Sequence, residues 1–291
     1  MATQTLKVIF DGSTDVPRLP GQSAVEWFDA RIGYYSVFYS AENPGDDLDA
    51  TARLTGDGWR VGNLRIAGDN HVTRILDVDA GERRIDYLEL GYNSEGEFTS
   101  TRARFIYGWD GDKHTVKLGN QQDGSTEAIT LYAGKNLVTT GNAYVSFIGT
   151  SGVKGDTHKI GSGGAGTVRT DAGNDKVTTT SGWVELISTG GGKDKVFLGK
   201  GGAGVIRTGD GNDLVVVSEL DPQNGTSIDA GGGKDTLDFK KFKSGVTFDL
   251  SNSEWQNVAA TAKNPGDPAK GYYAASSIEN LKGTRKNDTL T

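Results

Sequence analysis

Five aspartates recur at a nearly constant spacing in the second half of the chain. Asp156, Asp175, Asp194 and Asp213 are each 19 residues apart, and Asp235 follows after 22 residues. If each interval is one coil of a stacked structure, the carboxylates form a row with neighbours roughly 4.8 Å apart. Two like charges at that distance repel by roughly 3 kcal/mol at an effective dielectric constant of about 20. Such a row requires a counter-charge.

Glycines precede the aspartates of this row, although SGVKGD, from Ser151 to Asp156, lacks most of them. In TGDGNDLVV, from Thr208 to Val216, Gly209 and Gly211 precede Asp213 within the same short turn. Calcium takes 6–8 oxygen ligands from carboxylates and backbone carbonyls, and glycine lets a turn aim its carbonyls at one point. We therefore predict several calcium ions in one row along one edge, each between two stacked turns. The opposite turns lack regular aspartates, so we expect ordinary turn chemistry with threonine or glycine ladders there.

A repeat of the whole sequence positions these turns. Four segments, which begin at Val168, Ile187, Ile206 and Ile228, each alternate a turn, a short strand, a turn and a short strand. No such unit can bury its apolar side alone, so the units must stack as a β-solenoid. Two columns of apolar residues are expected inside: Val168, Ile187, Ile206, Ile228 and Val177, Val196, Val215, Leu237.

The repeat weakens towards the N-terminus. Residues 131–148 match residues 170–187, with Asn136 in place of the aspartate, and the segment from Phe105 is a further degenerate copy. Candidates before about residue 75 are too weak to count. Helix signals are nearly absent, because no 3.6-residue period is sustained and glycine recurs every few residues. The chain is therefore predicted to be all-β.

Composition excludes several classes. The chain has 291 residues with 43 glycines, 6 prolines and no cysteine, so it contains neither disulfides nor thiol chemistry. A net charge of −7 argues against nucleic acid and anionic membranes as partners. No apolar run approaches the ~18 residues of a membrane span. The N-terminus lacks the pattern of a cleavable signal peptide.

The repeats resemble a known family. TGGGKDKVF, TGDGNDLVV and AGGGKDTLD are similar to the nonapeptide of the repeats-in-toxin (RTX), haemolysin-type calcium-binding family. VTFDLS and SSIENLKGTRKNDTLT resemble segments that join blocks of these repeats. The resemblance covers about residues 105–291. It implies a right-handed parallel β-roll, calcium between the turns, and export by a type I secretion system with folding delayed until outside the cell.

Carried over by this motif, the expected metal-binding residues are the row of aspartates, two carboxylates within the turns, one aspartate near the C-terminus and seven glycines. They are Asp156, Asp171, Asp175, Asp194, Asp210, Asp213, Asp235, Asp288, Gly173, Gly190, Gly192, Gly209, Gly211, Gly231 and Gly233. The chain departs from the motif where Thr170, Thr189 and Thr208 replace the first glycine, and the alternate nonapeptides lack the motif altogether. Asp288 has no partner turn 18 or 19 residues away.

The resemblance also sets the expected domains. Residues 1–104 form a β-rich N-terminal cap or small domain, residues 105–250 the β-roll with 19-residue coils, and residues 251–291 a linker and the start of a second repeat block. The aromatic segment from Ser23 either caps the solenoid or forms a ligand-binding or adhesive surface. That surface would use Trp27, Tyr34, Tyr35 and Tyr39.

Other features favour ordinary roles. His114 and His158 lack the spacing of a zinc motif and are expected to be solvated, and Lys240, Lys241 and Lys243 to lie in a solvated turn. No catalytic motif is visible, so we predict a non-enzymatic, secreted or cell-surface protein with a structural, adhesive or matrix role. The alternatives are an accessory region of a secreted protease, lipase or polysaccharide-modifying enzyme, or a structural protein that self-associates through the solenoid ends.

Overall fold

The computed structural model describes the backbone of the strands before residue 99 and most of the chain after residue 102. Side chains are described for residues 87–90, 103–109, 113–119, 126–132, 134–220, 224–258 and 272–291. The side chains of Trp27, Tyr34, Tyr35 and Tyr39 lie outside this part. The described elements are all β-strands, stacked as a parallel β-solenoid of about six turns. This confirms the predicted solenoid. No helix of the described residues has the length and apolar character that a membrane crossing requires.

The chain forms two compact units, Met1–Thr150 and Ser151–Thr291. The strands of the first unit are β1 (Thr3–Phe10), β2 (Ala24–Asp29), β3 (Tyr34–Tyr39), β4 (Asp47–Leu54), β5 (Val61–Gly68), β6 (Thr73–Asp79), β7 (Ile85–Leu90), β8 (Ser94–Phe98), β9 (Ala103–Gly108), β10 (Thr115–Leu118), β11 (Thr126–Tyr132), β12 (Leu137–Thr139) and β13 (Val145–Ser151).

The strands of the second unit are shorter. They are β14 (Thr157–Ile160), β15 (Ala165–Arg169), β16 (Lys176–Thr179), β17 (Val184–Ser188), β18 (Lys195–Phe197), β19 (Ala203–Arg207), β20 (Asp210–Gly211), β21 (Leu214–Val216), β22 (Gly225–Asp229), β23 (Gly232–Gly233), β24 (Thr236–Asp238), β25 (Thr247–Phe248), β26 (Gln256–Asn257), β27 (Tyr272–Ser276), β28 (Asn280–Lys282) and β29 (Thr289–Leu290).

Alternate strands of the first unit belong to two sheets. One sheet has the order β1-β4-β6-β8-β10-β12 and the other β2-β3-β5-β7-β9-β11-β13. Strands β2 and β3 pair antiparallel, whereas β1 with β4 and β3 with β5 pair parallel. The coils therefore continue upstream of residue 75, where the sequence shows no repeat. The hydrogen bonds of parallel strands join backbone groups, so strands can pair in this way without a side-chain repeat.

The second unit repeats the sequence period in its register. Its two main sheets have the orders β14-β16-β18-β21-β24-β28 and β15-β17-β19-β22-β27-β26. Val177 pairs with Val196, and Val196 with Val215, one coil apart. All eight predicted core residues are buried, with at most 1% of each exposed. The two predicted apolar columns are thus confirmed. Each coil contributes one residue to each column.

Aromatic residues enlarge this thin core in the last coils. Phe239, Phe248 and Tyr273 are among the largest fully buried side chains of the described part. The rings of Phe239 and Phe248 lie 5.3 Å apart, and the Tyr273 hydroxyl donates a 2.6 Å hydrogen bond to the Ser218 carbonyl. Large rings fill the space that valines and isoleucines fill in the regular coils.

A row of stacked rings covers the outside of the first unit. Tyr87 on β7 stacks on Phe105 on β9 with ring centroids 5.0 Å apart, and Trp109 stacks on Tyr132 of β11 at 5.1 Å. Tyr107 lies between Phe105 and Trp109 on the same face. Ring pairs on neighbouring strands stabilise a sheet from its outer surface. These contacts hold successive coils together where the sequence repeat is weakest.

Candidate metal centre

The glycine-rich turns before β16, β18, β21 and β24 share one backbone conformation. All seven glycines predicted for the site have positive φ, between 82° and 149°. Asp171 occupies the position of Gly190 and adopts φ 66°, which aspartate tolerates better than most residues. Each turn therefore has two positions in the left-handed region, separated by one residue of ordinary conformation.

Close stacking provides a second reason for these glycines. A Cβ on Gly192 would collide with the Gly173 carbonyl oxygen of the preceding turn, and a Cβ on Gly211 with that of Gly192. The turns also hydrogen-bond to one another, as the Gly191 amide does to the Asp171 carbonyl at 2.8 Å. The glycines are thus required by the approach of neighbouring turns, whether or not an ion is bound.

The five aspartates form a single buried column, which we call the aspartate column: Asp156, Asp175, Asp194, Asp213 and Asp235. None exposes more than 2% of its surface. The first four backbone amides each donate to Oδ1 of the aspartate in the next coil, from Asp156 to Asp175 at 2.6 Å through Asp213 to Asp235 at 2.7 Å. The predicted row exists, and its carboxylates lie inside the turns.

The second carboxylate oxygen distinguishes this column from an ordinary hydrogen-bond ladder. The Oδ2 atoms of Asp175, Asp194, Asp213 and Asp235 are buried and have no hydrogen-bond partner. Buried polar atoms are nearly always satisfied, because an unsatisfied one costs about 1–3 kcal/mol. Four such oxygens in consecutive coils indicate a repeated missing partner: a cation, a bound water or a proton.

A threonine ladder runs beside the aspartate column. The hydroxyl of Thr170 donates to the Thr189 carbonyl at 3.0 Å, that of Thr189 to the Thr208 carbonyl at 3.1 Å, and that of Thr208 to the Ala230 carbonyl at 3.0 Å. All three threonines are fully buried. Thr170, Thr189 and Thr208 stand where the family motif has a glycine. Each of them therefore adds a hydrogen bond between coils. Threonine ladders were expected only at the opposite edge.

The opposite edge is closed by hydrogen bonds between turns. Thr180 donates to the Ile160 carbonyl at 3.2 Å, and the Gly199 amide donates to the Thr179 hydroxyl at 2.9 Å. A Cβ on Gly182 would collide with the backbone of Gly164. Threonine and glycine thus act at this edge as the sequence predicts.

Different residues occupy the column position elsewhere in the chain. The Asp235 amide donates to Oε2 of Glu279 at 2.8 Å, so a glutamate follows the last aspartate. In the first unit the His114 amide donates to Oδ1 of Asn136 at 3.2 Å. Sequence spacing missed Glu279, because 44 residues separate it from Asp235. Glu279 directly precedes Asn280, which pairs with Thr236 in the same sheet, and this pairing places Glu279 next to Asp235.

Burial dominates the electrostatics of the column. It raises the pKa of Asp175 to about 7 and that of Asp213 to about 6, and it also raises the pKa of Asp194 and Asp235. Hydrogen bonds from backbone amides and neighbouring threonines oppose this shift. The Thr170 hydroxyl, however, directs its one proton to the Thr189 carbonyl. Adjacent carboxylates raise the pKa of Asp175 further.

These shifts predict that the metal-free protein becomes less stable as the pH rises. An aspartate with a raised folded-state pKa keeps its proton in the folded chain after the unfolded chain has lost it. The contribution of the aspartates to stability is then greatest below the unfolded pKa of about 3.9 and falls until the pH passes about 7. Buried His158, whose pKa is lowered to about 4, acts in the opposite direction below its ordinary value of 6.5, but it is one group against several aspartates. In chelator, we expect a melting temperature at least ~3 °C lower at pH 8 than at pH 5.

Calcium should abolish this dependence, because a bound cation stabilises the ionised carboxylates. Melting curves at matched ionic strength, with chelator or with calcium, measure both arms. Asp175→Asn provides the matched variant and should flatten the slope in chelator. Equal slopes in chelator and in calcium would show that the column does not exchange protons for ions.

The two extra turn carboxylates lie apart from the column. Asp171 accepts a hydrogen bond from Nε of Arg169 at 2.8 Å and is partly exposed. Asp210 is exposed on the outside of its turn. The outside of these turns forms an open groove beside Asn174 and Asn212, whose side chains accept backbone amides of the next turn at 2.7 and 2.9 Å. Ligation by Asp171 and Asp210 stays a prediction.

Asp288 has a partner turn that its spacing did not reveal. Its Oδ1 accepts the Val246 amide at 2.9 Å and the Thr284 hydroxyl at 2.8 Å, and its Oδ2 accepts the Thr284 amide at 2.7 Å. Burial acts to raise the pKa of Asp288, but these hydrogen bonds outweigh it and lower the pKa. Because both oxygens have protein partners, Asp288 lacks the feature that points to an ion in the column.

The two histidines near the turns are buried, so the prediction that they are solvated is wrong. His114 and His158 expose 0% of their surface. Burial lowers the pKa of His158 to about 4, so its ring is neutral at physiological pH. His114 lies against Gly108, where a Cβ would approach its ring within 2.9 Å. In the sequence, Gly108 could have indicated the space that the buried His114 ring needs. Lys240 and Lys241 lie in an exposed turn, as predicted.

The atoms around the column that could ligate a cation are all oxygens. No group of three or more His, Cys, Asp or Glu side chains converges on one point in the described part of the chain. A cation here would therefore take one carboxylate oxygen from each of two coils and complete its shell with hydroxyl, carbonyl or water oxygens. Oxygen-only donor sets suit hard cations such as calcium. No protein-family model, curated protein or solved structure matches the chain.

Proposed function

We propose that the chain is a secreted, non-enzymatic calcium-binding protein of the repeats-in-toxin type. Its second unit would fold when calcium neutralises the aspartate column, and it would serve a structural, adhesive or surface role outside the cell. One observation carries this proposal: the buried, unpartnered Oδ2 atoms of Asp175, Asp194, Asp213 and Asp235. Export by a type I secretion system belongs to the same proposal.

Calcium fits this column better than a proton does at neutral pH. Burial raises the pKa of Asp213 to about 6 and that of Asp175 to about 7, so protons alone leave much of the column ionised near pH 7. A divalent ion between Asp194 and Asp213 would neutralise both charges and supply a partner to both Oδ2 atoms. The small turn residues leave backbone carbonyls close by. Asp194 and Asp213 would each contact two ions, because each has an aspartate above and below it.

The mechanism follows from linkage between binding and folding. The unfolded chain separates these aspartates by 19 or more residues, so it offers no preformed site. Binding free energy therefore becomes folding free energy. Extracellular calcium modules have dissociation constants of ~10⁻⁴–10⁻³ M. At cytosolic calcium levels repulsion within the column would leave the second unit only marginally stable and the chain competent for export, whereas extracellular calcium would stabilise the stacked coils.

Circular dichroism during a calcium titration tests this function. At neutral pH we expect an incomplete β-signal in chelator, because the second unit is only marginally stable there, and a cooperative gain as calcium reaches roughly 10⁻⁴–10⁻³ M. Magnesium at the same concentration is the control and should give little gain, because it dehydrates reluctantly and demands a stricter octahedral shell. A β-signal that is already complete in chelator, and a melting temperature unchanged by calcium, would contradict the proposal.

A further inference from the structure

A basic surface covers one sheet of the second unit on the side away from the core. We call it the lysine face, and it comprises exposed residues of strands β14, β16, β18 and β28 and of the turn after β24. Its members are Lys159, Lys176, Lys195, Lys240, Lys241 and Lys282. Their neighbours along the strands, such as Val177 and Val196, point inward and are buried. Lys159, Lys176, Lys195 and Lys282 therefore lie on the outer side of the sheet, while Lys241 donates from Nζ to the Leu198 carbonyl at 3.0 Å.

Acidic groups are scarce on this face. Among the described outward positions of these strands and of β21 and β24, Asp238 is the one acid, and it exposes 5% of its surface. It lies 3.2 Å from Nζ of Lys240 and can neutralise only that lysine. Glu219 accepts the Lys243 amide at the turn beyond and lies off the sheet. The lysine face thus carries an excess of positive charge.

Like charges are brought together within the face. Lys176 pairs directly with Lys195 in the register of β16 and β18. Lys176, Lys240 and Lys241 converge on one ring, with Nζ 5.2, 5.9 and 5.8 Å from the centroid of Phe197. Like charges directly opposite each other destabilise a sheet. The ring face offsets part of this cost, and an anion that bridges the lysines would offset the rest.

Charge is also unevenly divided along the chain. Residues 151–291 contain 17 basic and 17 acidic side chains, so the entire net charge of −7 belongs to residues 1–150. Five of those 17 acids are buried in the aspartate column. The remaining charges of the second unit therefore give it a positive exterior, although the whole chain is acidic. A net charge taken over all residues conceals this surface.

We propose that the lysine face binds a linear acidic polysaccharide that lies along the stacking direction. Coils repeat every ~4.8 Å, which is close to the length of one sugar ring, so successive carboxylate or sulfate groups can meet Lys159, Lys176 and Lys195 on the three successive strands β14, β16 and β18. Phosphates of one strand of duplex DNA advance by about 3.4 Å per nucleotide along the helix axis and wind around it, so they fall out of this register. Phe197 is covered by the lysines and offers no stacking surface for unpaired bases.

The face can be tested with fluorescently labelled chondroitin sulfate in calcium, where circular dichroism first shows that the protein is folded. We expect saturable binding by the native chain that weakens with salt, and no binding of neutral dextran. Lys176→Gln combined with Lys195→Gln should weaken binding by about tenfold, because each exposed ion pair contributes modestly. Removing two opposed like charges should not destabilise the sheet, so this variant remains informative.

Lys193→Gln combined with Lys234→Gln is the matched control. It removes the same charge from exposed turn positions outside the lysine face and should change binding by less than about twofold. Equal weakening in both variants would show that net charge alone drives binding, and tighter binding of duplex DNA than of chondroitin sulfate would overturn the choice of ligand. Failure to bind by a chain that still folds with calcium would reject this inference and leave the proposed function standing.

Discussion

Gly192→Ala is expected to destabilise the second unit by about 3 kcal/mol or more. Gly192 has φ 136°, which side chains with a Cβ rarely adopt, and its Cβ would collide with the Gly173 carbonyl. The backbone cannot move aside without opening the stack, because the Gly192 amide also donates to the Asp210 carbonyl at 2.7 Å. The strain therefore adds to the loss of a contact between turns.

Gly191→Ala provides the control one residue away. A Cβ on Gly191 meets nothing within 4 Å, and the equivalent positions of the neighbouring turns hold Ala172 and Asp210. Its effect should stay within about 0.5 kcal/mol. Urea unfolding in saturating calcium measures both variants. Equal stability of Gly192→Ala and Gly191→Ala would show that the turns do not approach each other as closely at Gly192 as described.

Replacements of Asp194 should separate its structural role from its ionic role. Its Oδ1 accepts the Asp175 amide at 2.8 Å, while its Oδ2 is buried without a partner. Asp194→Asn keeps an acceptor for that amide and removes the charge. In chelator this variant should therefore be more stable than the native chain, because a buried charge and its repulsion disappear. In calcium it should be less stable by roughly 1–3 kcal/mol, because a ligand of two ions is lost.

Asp194→Ala removes the acceptor as well, so it should be less stable than Asp194→Asn under both conditions. The control is Glu254→Gln, which removes a charge from an exposed position outside the glycine-rich turns and should leave the calcium response nearly unchanged. Urea midpoints in chelator and in calcium give the four comparisons. If the Asn variant shifted stability in the same direction under both conditions, the column would have only a hydrogen-bonding role.

Much of the fold follows from the sequence, because the second unit is periodic in both. The spacing of Asp175, Asp194 and Asp213 equals the register of the strands that follow them, and Val177 pairs with Val196 as the repeat predicts. Parallel stacking places equal positions of successive coils side by side. A residue type that must recur for stacking therefore recurs in the chain at the length of one coil.

The tertiary structure alone decided which atoms of these residues remain without a partner. The sequence predicts that Asp194 lies in a row of carboxylates, but only the fold shows that Oδ1 is taken by an amide and Oδ2 is not. It likewise places Glu279 after Asp235 across a long insertion, and buries His114 where its polarity suggested solvent. Spacing determines which residues stack, whereas burial and hydrogen bonding depend on atoms from coils that are distant in sequence or irregular in length.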